Sequence, residues 1–145
     1  MDSQLTSERS PTVATDEAIR SESKPRPRIL VVEDDPDIMR CLQIRLEVSG
    51  LEVLAASDLA TALELAEQSP PDAGLFDISF PGGDGVQLTQ QLRQRPSTAE
   101  LPVMILTASM RPGLEEEALA SGATGFMRKP YDSGALVEVL KGWCA

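Results

Sequence analysis

The chain has 145 residues, with 23 acidic and 13 basic side chains, a formal net charge of −10 and no histidine. That length suits one domain with a single core and room for a tail, and the negative balance argues against nucleic acid as a direct partner. The absence of histidine excludes Ser-His-Asp and Cys-His mechanisms, histidine-containing zinc sites and any phosphohistidine formed on this chain.

The charge is unevenly placed. Residues 1–28 hold five acids and five bases, whereas residues 29–145 hold 18 acids and 8 bases. The first stretch is rich in Ser, Thr, Pro and mixed charge and has almost no large apolar side chains. It cannot bury enough surface to offset its ordering entropy, so it reads as a flexible arm closing on the basic joint Lys24-Pro25-Arg26-Pro27-Arg28. The two cysteines, Cys41 and Cys144, form no metal-ligand spacing and read as reduced thiols. No run approaches the ~20 apolar residues of a membrane span. The first residues lack the apolar core of a secretory signal, so the expected compartment is the cytoplasm, without membrane insertion.

From residue 29 the pattern alternates strand and helix five times. The first strand is expected at 29–32. A helix follows with Asp35 as N-cap, Pro36 at its first position, and Ile38, Cys41, Leu42 and Leu46 on its inner face. Gly50 suits the residue after the helix end. A second strand covers 51–55. The second helix starts near Ser57 or Asp58, presents Leu59, Ala62, Leu63 and Ala66 on one face, and stops before Pro70-Pro71. The third strand is 73–76, and the loop Pro81-Gly82-Gly83-Asp84-Gly85 leads into a helix with Leu88 and Leu92 inward.

A fourth strand at 103–106 precedes the least hydrophobic helix, about 112–121, with Glu115-Glu116-Glu117 and inward candidates Leu114, Ala118 and Leu119. The fifth strand is short, about 124–127. The last helix begins after Asp132 with Leu136, Val139, Leu140 and Trp143 at helical spacing. Short apolar strands between helices, joined by right-handed crossovers, make a doubly wound (βα)5 α/β domain over residues 29–145.

Four of these apolar runs end in a chemically useful residue. The first runs into Glu33-Asp34-Asp35, the third into Asp77, the fourth into Thr107, and the fifth is followed by Arg128-Lys129-Pro130. Ligands of open α/β sheets bind outside the carboxyl ends of the strands, so three carboxylates, a hydroxyl and an ammonium are expected at one edge. Singly, each has a plain alternative. The acidic triplet caps a helix, Asp77 ends a turn, Lys129 is a solvated lysine, and Thr107 is a good strand former. Their joint placement is what points to a site for phosphate and a hard cation.

The segments Ile-Leu-Val-Val-Glu33-Asp34-Asp35-Pro36, Asp77-Ile-Ser-Phe-Pro81-Gly-Gly-Asp84-Gly85, Pro-Val-Met-Ile-Leu-Thr107-Ala108 and Gly122-Ala-Thr-Gly-Phe126-Met-Arg-Lys129-Pro130 resemble, in order, the receiver domain of two-component response regulators. The resemblance implies a flavodoxin-like fold with a parallel five-stranded sheet in the order 2-1-3-4-5. It implies Asp77 as phosphoacceptor, with Mg²⁺ held by Asp34, Asp77 and the Ser79 backbone carbonyl, and Glu33 joining through water. Lys129 is implied as the cation on the phosphoryl oxygens, and Thr107 as a hydroxyl that engages them once the group is present. Phe126 is the implied switch aromatic, alternatively a plain core side chain, and Pro130 is a candidate for a cis peptide after Lys129. The small residues Ser79 and Ser109 fall where family side chains tune the access of water.

The implied function is a single-domain phosphoacceptor of a phosphorelay. The donor would be a sensor histidine kinase or histidine phosphotransfer protein. The output would be a downstream protein meeting the face of the fourth helix, fifth strand and fifth helix, since the chain stops soon after that helix. A small Mg²⁺-dependent phosphatase with an aspartyl nucleophile is the main alternative. Against it, Asp77-Ile78-Ser79 lacks a second acid two residues on, and no cap domain is evident. A flavodoxin-like cofactor binder is opposed by one Trp, one Tyr and three Phe. A receiver fold that no longer phosphorylates is opposed by the full set Glu33, Asp34, Asp77, Thr107 and Lys129.

Overall fold

The computed structural model describes residues 25–145, so most of the expected arm, residues 1–24, lies outside the described part. Arg28, placed in the arm from sequence, instead opens the first strand, where its N–H donates to Asp72 at 2.8 Å and its guanidinium lies 3.6 Å from Glu52. In chain order the elements are β1 (Arg28–Val32), α1 (Pro36–Val48), β2 (Glu52–Ala56), α2 (Leu59–Gln68), β3 (Ala73–Asp77), β4 (Ser79–Phe80), β5 (Gly83–Asp84), α3 (Gly85–Arg93), β6 (Val103–Thr107), α4 (Leu114–Ala120), β7 (Gly125–Arg128) and α5 (Ser133–Cys144).

Five strands form one parallel sheet in the order β2-β1-β3-β6-β7. This is the flavodoxin-like order. Period-two alternation divides each strand between two cores. Leu30, Val32, Phe76, Val103 and Ile105 pack with Ala62, Ala66, Leu88, Leu92 and Ala118 under α2, α3 and α4. Ile29, Val31, Leu75, Met104 and Leu106 pack with Met39, Leu42, Leu46, Leu136 and Leu140 under α1 and α5. Continuous apolar runs are what burial on both faces demands.

Helix ends follow local chemistry. Asp35 caps α1 through the N–H groups of Asp37 and Ile38, Asp58 caps α2 through Thr61, Asp84 caps α3 through Gln87, and Asp132 caps α5 through Gly134 and Ala135. The cap of α4 is Gly113 at φ 82°, with no side-chain bond, and this helix is the shortest of the five.

Four sequence expectations need correction. Ile38 and Cys41 do not face the sheet: Ile38 is 39% exposed, Cys41 is exposed, and Met39 takes the inner position with Leu42 and Leu46. Both instead line a groove of about 370 Å³ between α1 and α5, opposite Tyr131, Leu136 and Val137. Leu119 is exposed because α4 covers the sheet only through Leu114 and Ala118. Val137, outside the helical series read for α5, is buried. Residues 79–84 form a small antiparallel hairpin, Ser79 opposite Asp84 and Phe80 opposite Gly83, where a plain loop was expected. Among the described residues no helix is long and apolar enough to cross a membrane.

Candidate phosphoryl and metal site

The chain lays β2 on one side of β1, then crosses to lay β3 on the other, and ligand crevices form at such a reversal. Glu33 and Asp34 leave the carboxyl end of β1, where the Glu33 N–H donates to Ala56 O at 3.0 Å. Asp77 ends β3 in register with Leu106, so the next residue of β6, Thr107, sits beside it at the same edge. Thr107 is in turn opposite Arg128, and the Lys129 N–H donates to Thr107 O at 2.7 Å. Parallel register thus delivers all five side chains to one edge.

One carboxylate oxygen from each of Glu33, Asp34 and Asp77 lies within 4.8 Å of the others. Glu33 is buried, Asp77 half-buried and Asp34 exposed, which grades the cluster from the core to solvent. Lys129 Nζ lies 3.6 Å from Glu33 Oε1 and 3.6 Å from Asp77 Oδ1, bridging two of the three acids. Glu33 Oε2 accepts from the Asp35 N–H at 3.0 Å, and Asp77 Oδ1 from the Ile78 N–H at 2.9 Å. Burial pushes the Glu33 carboxyl above its ordinary value. The Asp35 N–H bond and Lys129 oppose the rise, and the charges of Asp77 and Asp34 add to it. Tyr131 rises too, by burial first and by facing Glu33 and Asp77 second.

The set is all oxygen, hard, and richer in negative charge than one lysine offsets. Those properties fit a divalent cation such as Mg²⁺, which takes carboxylates and keeps waters. Ser79 lies two residues past Asp77, exposed, at the start of the hairpin. The hairpin is anchored by Gly85, whose N–H donates to Ile78 O at 3.0 Å. A Cβ at Gly85 would stand 2.6 Å from Asp77 O, so only glycine permits this approach behind the carboxylate.

Thr107 is fully buried, and its Oγ1 accepts from the Ser109 N–H at 2.9 Å. Phe126 is half-buried against the α3/α4 core, and the Arg128 guanidinium lies 5.2 Å from its ring centroid. Arg128 Nη1 also donates to Ser109 O at 2.7 Å. Sequence reasoning passed over this arginine. Its signal was present, since Arg128 and Phe126 are two apart on one strand and share a face. The Lys129–Pro130 peptide is cis.

Comparison with known proteins agrees with this geometry. Residues 29–141 match the family described as response regulator receiver domain. The chain is 38% identical over 106 residues to the DNA-binding dual master transcriptional regulator RpaA of Synechocystis, covering 73% of this chain and 44% of RpaA. It is 35% identical over 113 residues to protein PilH of Pseudomonas aeruginosa, covering 78% of this chain and 93% of PilH. The crystal structure of a putative response regulator from Chloroflexus aurantiacus superposes with a TM-score of 0.77 at 32% identity, covering 83% of this chain and 98% of that one. The chain spans less than half the length of several curated relatives it matches, RpaA among them. With the switch-point fold, the strand-end carboxylates and a match across most of its length in agreement, the chain belongs to the receiver-domain family of two-component response regulators.

Proposed function

We propose that this receiver is a phosphoacceptor switch in which Asp77 takes a phosphoryl group from a phosphohistidine on a kinase or phosphotransfer partner. A carboxylate oxygen of Asp77 forms a bond to phosphorus as the phosphorus–nitrogen bond to the donor imidazole breaks. The product is an acyl phosphate, and the imidazole leaves with the electron pair and picks up a proton. The observation that carries this reading is the half-buried Asp77 carboxylate set between two further acids and Lys129.

Glu33, Asp34 and Asp77 would hold Mg²⁺, with the Ser79 carbonyl beside them. Bound there, the ion neutralises charge that would otherwise repel a phosphoryl dianion from a carboxylate. Lys129, now shared between Glu33 and Asp77, is within reach to transfer its contact to phosphoryl oxygens. The Thr107 hydroxyl supplies a donor that becomes useful only when those oxygens arrive. Its movement, coupled to Phe126, changes the face formed by α4, β7 and α5 and thereby the affinity for an output protein.

The test is incubation with acetyl phosphate or a phosphoramidate and Mg²⁺, followed by intact mass. Wild type should gain about 80 Da, the mass of one phosphoryl group, and Asp77→Asn should not. Equal gain by Asp77→Asn, or none by wild type, overturns the assignment. Steady turnover of p-nitrophenyl phosphate would favour the phosphatase reading instead.

A further inference from the structure

A continuous set of contacts joins the Thr107 hydroxyl to the Phe126 ring. Thr107 Oγ1 accepts from the Ser109 N–H at 2.9 Å, and Ser109 O accepts from Arg128 Nη1 at 2.7 Å. The same guanidinium sits over Phe126, 5.2 Å from the centroid. Ser109 Oγ also accepts from the Arg111 N–H at 3.2 Å, and Arg111 Nη2 bonds Glu117 Oε1 of α4 at 2.6 Å. The loop after β6 is therefore held at one residue, Ser109, from both sides. Strand register makes this possible: Arg128 pairs with Thr107 and Phe126 with Ile105 on adjacent parallel strands.

The geometry points to Arg128 as a positioning residue that latches the resting state, holding the loop after Thr107 and the ring of Phe126 in one arrangement. Arginine suits this because its planar fork can bond a carbonyl edge-on while its face lies over a ring. Carrying the Thr107 hydroxyl toward a phosphoryl group on Asp77 draws it away from the Ser109 N–H. The loop must then follow or lose that bond, and the Arg128 contact to Ser109 O is given up. Phe126, no longer covered by the guanidinium, is free to change place. The latch lowers the population of the arrangement that accepts the phosphoryl group, and apparent reactivity scales with that population. This rests on the reading of Asp77 as phosphoacceptor.

The experiment measures the initial rate of adduct formation with acetyl phosphate and Mg²⁺ by intact mass, for wild type, Arg128→Ala, Arg128→Lys, Phe126→Leu and the double variant Arg128→Ala/Phe126→Leu. Arg128→Ala should react about tenfold faster, equivalent to about 1.4 kcal/mol of latch. Arg128→Lys, which keeps the charge but not the fork, should fall between. Phe126→Leu should be modestly faster, and adding it to Arg128→Ala should give little more, as expected of two parts of one unit. Affinity for Mg²⁺ without donor, followed by thermal shift, should not change.

Charge alone predicts the opposite sign, because removing a cation beside the site slows the approach of an anionic donor. An Arg128→Ala rate equal to or below that of a reactive wild type overturns the latch while leaving Asp77 in its role. A wild type that gains no adduct overturns both. Should Arg128→Ala melt below the assay temperature, Arg128→Lys decides: faster than wild type supports the latch, and equal or slower overturns it.

Discussion

The two edges of the sheet handle charge in opposite ways. At the amino edge polar groups are matched. Arg93 of α3 donates to Gly122 O from Nε at 3.1 Å and Nη2 at 2.8 Å, and to Thr98 O from Nη1 at 3.1 Å. Thr98 Oγ1 donates to Leu92 O at 2.6 Å, Thr124 Oγ1 accepts from the Val103 N–H at 3.0 Å, and Asp72 accepts from the Arg28 N–H at 2.8 Å. At the carboxyl edge three acids crowd within 4.8 Å, and Lys129 stands 3.6 Å from two of them. One edge closes the fold; the other carries an excess of negative charge that a cation can offset. A fold can tolerate such an edge because its stability comes from elsewhere, here two apolar cores and the bonded amino edge.

The division breaks most sharply at Gly85, which sits at the functional edge yet holds the fold. Gly85→Ala forces a Cβ to 2.6 Å from Asp77 O. The expected loss is about 3 kcal/mol in urea unfolding, the upper part of the usual range for overpacking. Because the clash falls on the backbone of Asp77, phosphoryl uptake should fall with it. Arg93→Ala should give the cleaner separation. It strips three hydrogen bonds and takes both of its contacts from the Gly122 carbonyl, while Thr98 O keeps the Leu101 N–H at 3.2 Å, for a loss of about 2 kcal/mol. Mg²⁺ affinity, read from the dose dependence of the melting shift, should be unchanged, and a large change in it would break the comparison.

Much of the carboxyl edge was legible in the sequence, because strands that run apolar and then stop on Asp, Thr or Lys mark the end of burial. Glu33, Asp34, Asp77 and Lys129 do converge. The aspartate caps of α1, α2 and α5 follow from local backbone chemistry and fell at or next to their expected positions. The rest depended on partners distant in sequence. Helical spacing put Ile38 and Cys41 inward because periodicity gives the width of an apolar stripe, not which flank meets the sheet and which meets a neighbouring helix. The Arg93 clamp spans 29 residues to Gly122, and the Arg128 contact spans 19 to Ser109. No local pattern marks which arginine turns back to cap a carbonyl.

Two carboxylates of the carboxyl edge sharpen the comparison by titrating in opposite senses. Burial, reinforced by Asp77 and Asp34, raises Glu33 above its ordinary 4.5, so the folded metal-free protein binds that proton more tightly than the unfolded chain. In the window between the ordinary and the raised value the unfolded state holds fewer protons, and stability therefore falls as pH rises through it. Asp58 is the reverse. Bonds from Thr61 lower it below its ordinary 3.8, so its contribution is present above that value and is lost as pH falls through the lowered one. In EDTA, the melting temperature of wild type relative to Glu33→Gln, which lacks the ionised charge throughout, should fall as pH rises above 4.5. At pH 7 in EDTA, Glu33→Gln should itself melt above wild type, and added Mg²⁺ should reverse that ranking by stabilising wild type more. If Glu33→Gln instead melts lower in EDTA, the Lys129 contact outweighs the crowding, and the carboxyl edge is as well matched as the amino edge.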